Sequence, residues 1–393
     1  MSAVADSIVT TLREVLEPDG AFLPLHEPTF AGNEWPYVKE CIDTGWVSSA
    51  GAYVDRFEAD LAAYTGVRRA VAVVNGTAAL HVALLLAGVE RDDEVLVPAL
   101  TFVATANAVA YCGAVPHFVD SEERTLGLDA GKLGEYLDEI AVVEGGLCRN
   151  RATGRTIRAV VPMHTFGHPV DLDALAAVCD RFALVMIEDA AESLGSFYKG
   201  RHTGQWGRMA TLSFNGNKTI TTGGGGALLT DDDALADRAK HLTTTGKRPH
   251  RWAYEHDAVA FNYRLPNLNA ALGCAQLEQL DGFLAQKRRL AARYAEAFAA
   301  VDGVRFVTEP AFAQSNYWLN ALLLDEAHAD ERDPLLAASN DAGVMTRPVW
   351  TLMNSLPMYQ ACPRMDLAVA ESIERRLVNI PSSASLEVRR VEA

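Results

Sequence analysis

Three short stretches of the sequence place polar side chains beside glycine or small residues, a composition typical of small-molecule sites. In SFNGNKTITTGGGGALLTD (213–231), Lys218 stands between an apolar strand-like run and four consecutive glycines. Glycines at such positions let the backbone adopt positive φ or pass close to a ligand. The amine of Lys218 is then a candidate nucleophile on a constrained turn, although an exposed lysine on an ordinary glycine-rich turn has the same sequence.

The second stretch, NGTAAL (75–80), follows the apolar run AVAVV and opens a helical pattern. Gly76 permits a tight turn, and the hydroxyl of Thr77 with the free N–H groups of Thr77 and Ala78 can form a cradle for an anion such as phosphate. The alternative is an ordinary strand-to-helix turn that is capped by Asn75 or Thr77.

The third stretch, EDAAES (188–193), places Glu188 and Asp189 directly after the apolar run LVMI. A carboxylate at such a strand end either caps the next helix or faces a ring nitrogen of a bound ligand. The residue pattern leaves both interpretations open, and it does not decide between the two acids.

Together the three stretches supply an amine, an acid and a phosphate cradle, which is the set that pyridoxal phosphate requires. This cofactor forms a Schiff base with a lysine, needs an acid to keep its pyridine nitrogen protonated, and is held by its phosphate. Ser213, five residues before Lys218, can add a hydroxyl to the phosphate. The ring of Phe102 can lie flat on the cofactor or simply pack in the core. The sequence therefore predicts a pyridoxal phosphate site.

Short apolar runs rich in valine, isoleucine and leucine alternate with helical patterns along most of the chain. Continuous apolar strands separated by helices indicate a mainly parallel sheet covered on both faces, so the predicted fold class is α/β. Ligands of such sheets bind at the carboxyl ends of the strands, where the three stretches fall. The predicted strands are 70–74, 94–98, 116–120, 157–164, 184–189, 210–214 and 227–231.

The pattern changes in the last third of the chain, where one long helical stretch (267–301) precedes short strands and helices. This change is typical of a second, smaller α+β unit. We predict an N-terminal arm with the large cofactor-binding domain over residues 1–265, and the long helix with a small C-terminal domain over residues 266–393. Two further helices are predicted near 34–44 and 52–64.

Composition narrows the classes of partner. The 393 residues include 51 acids and 35 bases, and the formal charge of −16 disfavours nucleic acid and anionic membrane, because both bind basic faces. Six cysteines without CxxC spacing argue against a disulfide framework or a zinc site. The first 20 residues carry acids and lack an apolar signal segment, so we expect a cytoplasmic location.

Other chemistries find less support in the sequence. His164 and His168 are spaced like two metal ligands on one helical turn, but Gly167 and Pro169 interrupt any helix there. The sequence contains no GxSxG element that would place a nucleophilic serine for hydrolysis. We therefore predict neither a metal site nor a serine hydrolase.

Five ordered motifs span most of the chain: NGTAALHVALLLAGV, DEVLVPALTFVATANAV, IEDAAES, SFNGNKTITTGGGGALLTDD and NYRLPNLNAALGCAQLEQL. Together they resemble the DegT/StrS family of pyridoxal-phosphate sugar aminotransferases, from about Pro24 to Ser383. The resemblance implies the aspartate aminotransferase-type fold (fold type I). That fold has a mainly parallel seven-stranded sheet in the large domain and a smaller α+β C-terminal domain.

The resemblance also assigns roles to individual residues. It implies that Lys218 is the Schiff-base lysine, that Asp189 pairs with the pyridine nitrogen and that Phe102 stacks on the ring. An asparagine at the position of Asn262 reaches the neighbouring subunit's phosphate in this family, so a homodimer with shared active sites is expected. Glu192 stands where the family often has histidine or glutamine beside the phenolic oxygen. The implied phosphate-binding residues are Gly76, Thr77, Ala78 and Ser213.

The implied reaction is transamination, because Lys218 stands where related dehydratases have histidine. The expected amino donor is L-glutamate, and the expected acceptor is a keto sugar. LHEPTFAGNEW and TGWVSSAG are similar to the subgroup that aminates C4 of UDP-linked 4-keto sugars on routes to legionaminic-type acids. Such a reaction belongs to the biosynthesis of bacterial surface polysaccharides.

Two alternatives remain open. An aminotransferase that acts on C8 of an 8-oxo octulosonate has a similar sequence pattern, and a non-catalytic sugar-sensing regulator can use the same fold. The regulator interpretation predicts loss of the lysine or the acid, whereas Lys218 and Asp189 are both present. Candidate substrate contacts are Trp46, Tyr198, Arg347 and Trp350.

Overall fold

The computed structural model describes residues 3–16 and 22–387. Its α-helices are α1 (Ala3–Leu16), α2 (Glu34–Thr44), α3 (Ala52–Thr65), α4 (Gly76–Leu86), α5 (Val103–Tyr111), α6 (Ala130–Ile140), α7 (Leu172–Phe182), α8 (Asp233–Thr243), α9 (Asn267–Leu277), α10 (Leu280–Phe298), α11 (Arg332–Asp341) and α12 (Ala368–Arg376). Short 3₁₀ helices lie at Thr165–Gly167, Glu326–Glu331 and Met353–Ser355. None of the helices in the described residues combines the length and the apolar content needed to cross a membrane.

The strands are β1 (Arg69–Val73), β2 (Glu94–Pro98), β3 (Val115–Val119), β4 (Ala141–Glu144), β5 (Leu147–Asn150), β6 (Thr156–Val160), β7 (Val185–Asp189), β8 (Phe197–Tyr198), β9 (Arg201–His202), β10 (Met209–Ser213), β11 (Gly226–Thr230), β12 (Val304–Phe306), β13 (Ala313–Gln314), β14 (Asn320–Leu324), β15 (Arg347–Pro348) and β16 (Leu377–Ile380).

The large sheet has the strand order β1-β11-β10-β7-β6-β2-β3. Strands β10, β7, β6, β2 and β3 are parallel, whereas β11 is antiparallel to both of its neighbours. Most side chains of these strands are buried, as expected for a sheet with helices on both faces. The predicted mainly parallel seven-stranded sheet is confirmed, and the β4–β5 hairpin beside β6 enlarges it to nine strands.

Three strand ends meet at one edge of this sheet. β1, β10 and β7 run in the same direction, because β11 is antiparallel to both β1 and β10. β7 ends at Asp189, which pairs with Thr211 of β10, and β10 ends at Ser213. β1 leads through Asn75 into α4, whose first residue is Gly76. The predicted acid and the predicted phosphate cradle are thus brought to the same edge.

The glycine run 223–226 allows strand β11 to pass close to the start of α4, and most of its glycines do not adopt a positive φ. Within the run only Gly223 has a positive φ, at 76°. Gly226 begins β11, and a Cβ there would lie 2.5 Å from the carbonyl carbon of Asn75 and 2.6 Å from the nitrogen of Gly76. Any side chain at residue 226 would therefore push β11 away from the start of α4.

We expect Gly226→Ala to destabilise the protein, because the added methyl group has no space beside the start of α4. Overpacking of this kind costs about 1–3 kcal/mol, which corresponds to a Tm lower by about 2 °C or more in calorimetry. Gly224→Ala is the matched control, since a Cβ at that residue meets nothing within 4 Å. Equal losses of Tm in the two variants would contradict this explanation.

The C-terminal part of the chain forms the predicted smaller α+β unit. Its antiparallel sheet has the strand order β12-β14-β16-β15. Apolar side chains of this sheet, of α1 and of α10 share one core, which includes Ile8, Tyr294 and Leu322. The helix α1 therefore packs with the C-terminal unit, while the domain division at residue 265 stays a prediction.

The predicted long helix is broken into α9 and α10, which end and begin at Leu277 and Leu280. At the break Glu278 accepts hydrogen bonds from Arg56 at 2.6 Å and from Tyr37 at 2.8 Å. These bonds tie the turn to α3 and α2, against which α9 packs. The break thus comes from tertiary contacts and not from a local helix-breaking residue.

Candidate active site

A cavity of about 340 Å³ lies at the carboxyl edge of the large sheet. Its size is within the range of small-molecule sites in proteins. The predicted residues in its wall are Gly76, Thr77, Phe102, Asp189, Glu192, Ser213 and Lys218. The wall also includes Asn75, Met163, Asn217, Trp318 and Trp350. The cavity therefore brings together the predicted amine, acid and cradle.

One side of the cavity is formed by the start of α4 and the end of β10. The first N–H groups of α4 have no helical carbonyl to bond, so this side suits an anion. A Cβ at Gly76 would lie 3.0 Å from Cβ of Ser213, which shows how closely the helix approaches the strand. The side chain of Asn75 caps α4 by accepting a hydrogen bond from the N–H of Ala78 at 2.8 Å. The capping interpretation is confirmed for Asn75, and phosphate binding by Ala78 stays a prediction.

Asp189 reaches the cavity from the end of β7 and is only 3% exposed. Its Oδ2 accepts a hydrogen bond from the hydroxyl of Thr105 at 2.7 Å, and its Oδ1 accepts one from the N–H of Ala191 at 3.2 Å. Burial raises the pKa of this carboxyl, and the two hydrogen bonds oppose that effect. The side chain is thus a fixed carboxylate that can face a cationic ring nitrogen.

Glu188, the other acid of the strand end, is engaged in the structure of the sheet and is absent from the cavity wall. Neighbouring residues of a strand point to opposite faces. Its carboxylate accepts hydrogen bonds from the N–H groups of Gly204, Trp206 and Gly207 at 2.7–2.8 Å. His164 Nε2 lies 3.0 Å from Glu188 Oε2. The structure therefore assigns a structural role to Glu188 and leaves Asp189 as the cavity acid.

Lys218 lies between a carboxylate and an aromatic ring. Its Nζ is 3.1 Å from Oε1 of Glu192 and 3.8 Å from the centre of the Trp318 ring. The lysine side chain is 13% exposed. The amine is therefore held in place on two sides within the cavity.

Glu192 is buried, and burial raises the pKa of its carboxyl to about 7. The ammonium group of Lys218 and a hydrogen bond from the N–H of Phe166, at 2.9 Å, oppose this shift. The carboxylate of Asp189 adds to the increase of the pKa. Glu192 therefore changes its protonation near neutral pH, in direct contact with the lysine.

We expect Glu192→Gln to stabilise the cofactor-free protein at alkaline pH. The folded-state pKa of about 7 is above the ordinary value of 4.5, so the protonated form is favoured in the fold. This contribution to stability is fully present below pH 4.5 and is lost as the pH rises through 7. The free energy of unfolding of the variant should therefore exceed that of wild type by about 3 kcal/mol at alkaline pH, with a smaller difference in acid. Melting curves over this range would measure the effect, and a difference independent of pH would contradict it.

The predicted ring-stacking residue Phe102 is not a core residue, because it is 48% exposed and lies on the cavity wall. Its ring meets that of Trp350 edge-on, with the centroids 6.2 Å apart. Trp350 in turn packs on Phe166 at 5.1 Å. An aromatic surface thus covers one side of the cavity, and the stacking role of Phe102 stays a prediction.

Ala78 and four other predicted residues lie outside the cavity wall. Asn262 is exposed and pairs with Thr244 in a short β-bridge. Tyr198 is buried, and its hydroxyl donates a hydrogen bond to Asp171 at 2.9 Å. Trp46 lies beside a separate open cavity near α2, and Arg347 is exposed in β15. Of the suggested substrate contacts, Trp350 is the one on the cavity wall.

Sequence reasoning missed Thr105, Met163 and Trp318 as site residues. Thr105 lies inside α5 and Met163 follows β6, so neither falls in a glycine-rich or acidic motif. Trp318 comes from the C-terminal unit, about one hundred residues after the lysine that it contacts. A tryptophan in an apolar stretch carries no local signal, because core packing has the same sequence.

The sequence profile of the DegT/DnrJ/EryC1/StrS aminotransferase family matches residues 28–393. The chain belongs to this family. The DegT/StrS resemblance of the motifs is therefore confirmed over most of the chain, as is the assignment to a pyridoxal-phosphate-dependent enzyme.

Two relatives are about 40% identical to the chain over almost their whole length. GDP-perosamine synthase of Caulobacter vibrioides is 41% identical over 362 residues, which are 91% of this chain and 92% of that protein. GDP-perosamine synthase of Escherichia coli O157:H7 is 38% identical over 94% of this chain and 96% of that protein. The chain is thus a sugar aminotransferase of the DegT/DnrJ/EryC1/StrS family.

The solved structure of another aminotransferase has the same architecture. The aminotransferase TlmJ from Streptoalloteichus hindustanus superposes with a TM-score of 0.84 at 30% identity, covering 95% of this chain and 96% of that one. The predicted aspartate aminotransferase-type fold is confirmed by this likeness.

The cavity of this family member fits pyridoxal phosphate. The start of α4 offers unpaired N–H groups to a phosphate, and Lys218 offers a primary amine to an aldehyde. Asp189 offers a buried carboxylate that a protonated ring nitrogen would neutralise. The chemical types of these three groups match the three functional parts of the cofactor.

Proposed function

We propose that the protein transfers the amino group of L-glutamate to C4 of a nucleotide-linked 4-keto-6-deoxyhexose, in the biosynthesis of a bacterial surface polysaccharide. The observation that carries the proposal is the shared cavity of Lys218 and Asp189 in a sugar aminotransferase whose relatives are named for GDP-perosamine, a 4-amino sugar. Both residues are needed for amino-group transfer, whereas a sugar-sensing regulator needs neither.

Each residue has a role that follows from its position. Bound pyridoxal phosphate supplies an electron sink and carries the amino group between the two substrates. With the cofactor bound, Nζ of Lys218 would take the proton from the α-carbon of the donor and deliver it to the C4′ carbon of the cofactor. Oε1 of Glu192, 3.1 Å away, orients that amine, and Asp189 stabilises positive charge on the ring nitrogen. The aromatic rings of Phe102, Trp318 and Trp350 give this side of the cavity an apolar wall.

The relatives' names also bear on the nucleotide. The motif resemblance suggests a UDP-linked acceptor, whereas the relatives that are 41% and 38% identical are named as synthases of a GDP-linked sugar. We therefore propose a GDP-linked acceptor and treat the UDP-linked sugar as its competitor.

Half-reaction kinetics would test the acceptor directly. The enzyme is first converted by L-glutamate to its amino form, and the return of the visible absorbance is then followed with each ketone in turn. We expect GDP-linked 4-keto-6-deoxymannose to react with a kcat/KM at least about tenfold above that of the UDP-linked 4-keto sugar. Faster reaction of an 8-oxo octulosonate would contradict the proposal and favour the alternative acceptor.

We further propose that the active unit is a homodimer in which Asn262 serves the partner subunit's site. Asn262 is exposed and outside the cavity of its own chain. Large aromatic side chains are exposed elsewhere, including Trp35 at 73% and Trp252 at 72%, which is typical of surfaces that bind another chain.

Subunit complementation would test this sharing of sites. The variants Lys218→Ala and Asn262→Ala should each be weakly active, and mixing them should restore activity in the dimers that contain one intact site. A mixture no more active than the sum of its parts, or a monomeric mass in light scattering, would contradict the proposal.

A further inference from the structure

Trp318 is the residue of the C-terminal unit that contacts the amine of the site. Its ring centre lies 3.8 Å from Nζ of Lys218, and its indole N–H donates a hydrogen bond to the carbonyl of Asn217 at 2.6 Å. The side chain is 4% exposed and lines the cavity. One tryptophan therefore touches both the reactive amine and the backbone beside it.

We propose that Trp318 is a further catalytic residue, whose ring holds Nζ of Lys218 beside Glu192. There the carboxylate of Glu192 would take the proton that the amine must lose before it attacks the cofactor aldehyde, whose oxygen would leave as water. This inference rests on the proposed function, because it assigns a role within the same site. A lysine amine sits on a flexible four-carbon stem, and a single carboxylate leaves much of that freedom. The face of an aromatic ring adds a second attractive contact and narrows the accessible positions.

The backbone of Trp318 is coupled to the backbone of Glu192. The amide oxygen of Asn316 accepts a hydrogen bond from the N–H of Trp318 at 2.8 Å. The amide nitrogen of Asn316 donates to the carbonyls of Glu192 and Leu194 at 2.8 and 2.9 Å. One buried side chain thus positions both groups that contact Lys218.

A buried lysine, Lys287 of α10, supports Trp318 from the other side. It is fully buried, and its Nζ donates to the carbonyl of Trp318 at 3.2 Å and to that of Ser382. Among the described residues, no carboxylate forms an ion pair with this ammonium, and burial lowers its pKa to about 7. Burying a charge without a carboxylate is costly, and the two hydrogen bonds to the carbonyls of Trp318 and Ser382 offset part of that cost. We assign Lys287 as a positioning residue that acts through Trp318.

Other ionisable groups near the contact between Lys218 and Trp318 are a histidine and two acids. Burial, together with the nearby ammonium groups of Lys287 and Lys218, holds the pKa of His26 well below its usual value. The two acids near Lys218 are Glu192 in contact and Asp189 across the cavity. His26 is therefore neutral and adds no positive charge beside the two lysines.

The test uses cofactor-free protein with two ligands. Pyridoxamine phosphate forms no Schiff base with a lysine, so its Kd reports only the non-covalent contacts of the cavity. The rate at which pyridoxal phosphate gains the visible absorbance of the lysine-bound form reports the placement of Nζ. We expect Trp318→Leu to slow this rate about tenfold, a clearly larger factor than the accompanying rise in the Kd of pyridoxamine phosphate. Trp318→Phe, which keeps a ring, should remain within about threefold of the wild-type rate.

Lys287→Met tests the positioning role, with Lys39→Met as the control at an exposed lysine. We expect the first to slow attachment in the same way, the second to have no effect, and the double variant Trp318→Leu/Lys287→Met to be no slower than Trp318→Leu. Parallel losses of attachment rate and pyridoxamine phosphate affinity in Trp318→Leu would overturn the proposal, as would an unchanged rate. Neither readout involves a sugar, so failure of the proposed acceptor would leave this result intact.

Discussion

Lys218→Ala is expected to lower the kcat of transamination by about 10⁴-fold. In the proposed mechanism this side chain provides both the amine that binds the cofactor covalently and the base that moves the proton of the donor. It is also the one amine on the cavity wall among the described residues. Steady-state kinetics with L-glutamate and the keto sugar would measure the loss, and the visible absorbance of the lysine-bound cofactor should vanish with it.

A matched variant separates this loss from a general effect of removing a lysine. Lys39→Ala removes an exposed lysine that pairs with Asp43 on α2, so kcat and absorbance should both be retained. Transamination by Lys218→Ala at more than a few per cent of the wild-type rate would exclude the assigned role.

Asp189→Asn is expected to lower kcat about 10²–10³-fold while the protein stays folded. An amide cannot stabilise a protonated ring nitrogen as a carboxylate does, so the cofactor becomes a weaker electron sink. Glu188→Gln is the informative comparison, because it changes the adjacent acid of the same strand. That variant should mainly lower Tm, since Glu188 accepts three backbone hydrogen bonds that an amide cannot fully replace.

Without cofactor, Asp189→Asn and Glu188→Gln should change the free energy of unfolding in opposite directions. Burial raises the pKa of Asp189, so its ionisation costs stability as the pH rises through the folded-state pKa. Asp189→Asn should therefore be more stable than wild type at neutral pH, and Glu188→Gln less stable. The same sign for both variants would show that the two acids have been assigned wrongly.

The strands and the order of the site groups were predictable because each depends on a local pattern. The run LVMI is apolar throughout, as expected for a strand that is buried on both faces. The acids that follow it directly are therefore predicted to lie at the edge of the sheet. NGTAAL likewise predicts the start of a helix, and Asn75 caps α4 in the structure. Such patterns need no knowledge of the tertiary fold.

Other features depend on contacts that no local pattern contains. The choice between Glu188 and Asp189 follows from which face of β7 meets the cavity. The break between α9 and α10 depends on hydrogen bonds from Arg56 and Tyr37 to Glu278, which are distant in sequence. Trp318 enters the site only when the C-terminal unit packs against the sheet.

The assignment of Lys218 as the lysine that binds the cofactor is tested most directly by borohydride reduction of the enzyme with bound pyridoxal phosphate, followed by peptide mass mapping. Reduction makes the bond between cofactor and lysine permanent, so the modified residue can be read from the fragment masses. The expected result is one pyridoxyl phosphate group per chain, on the peptide that contains Lys218. Modification of a different lysine, or none while transamination proceeds, would contradict the assignment.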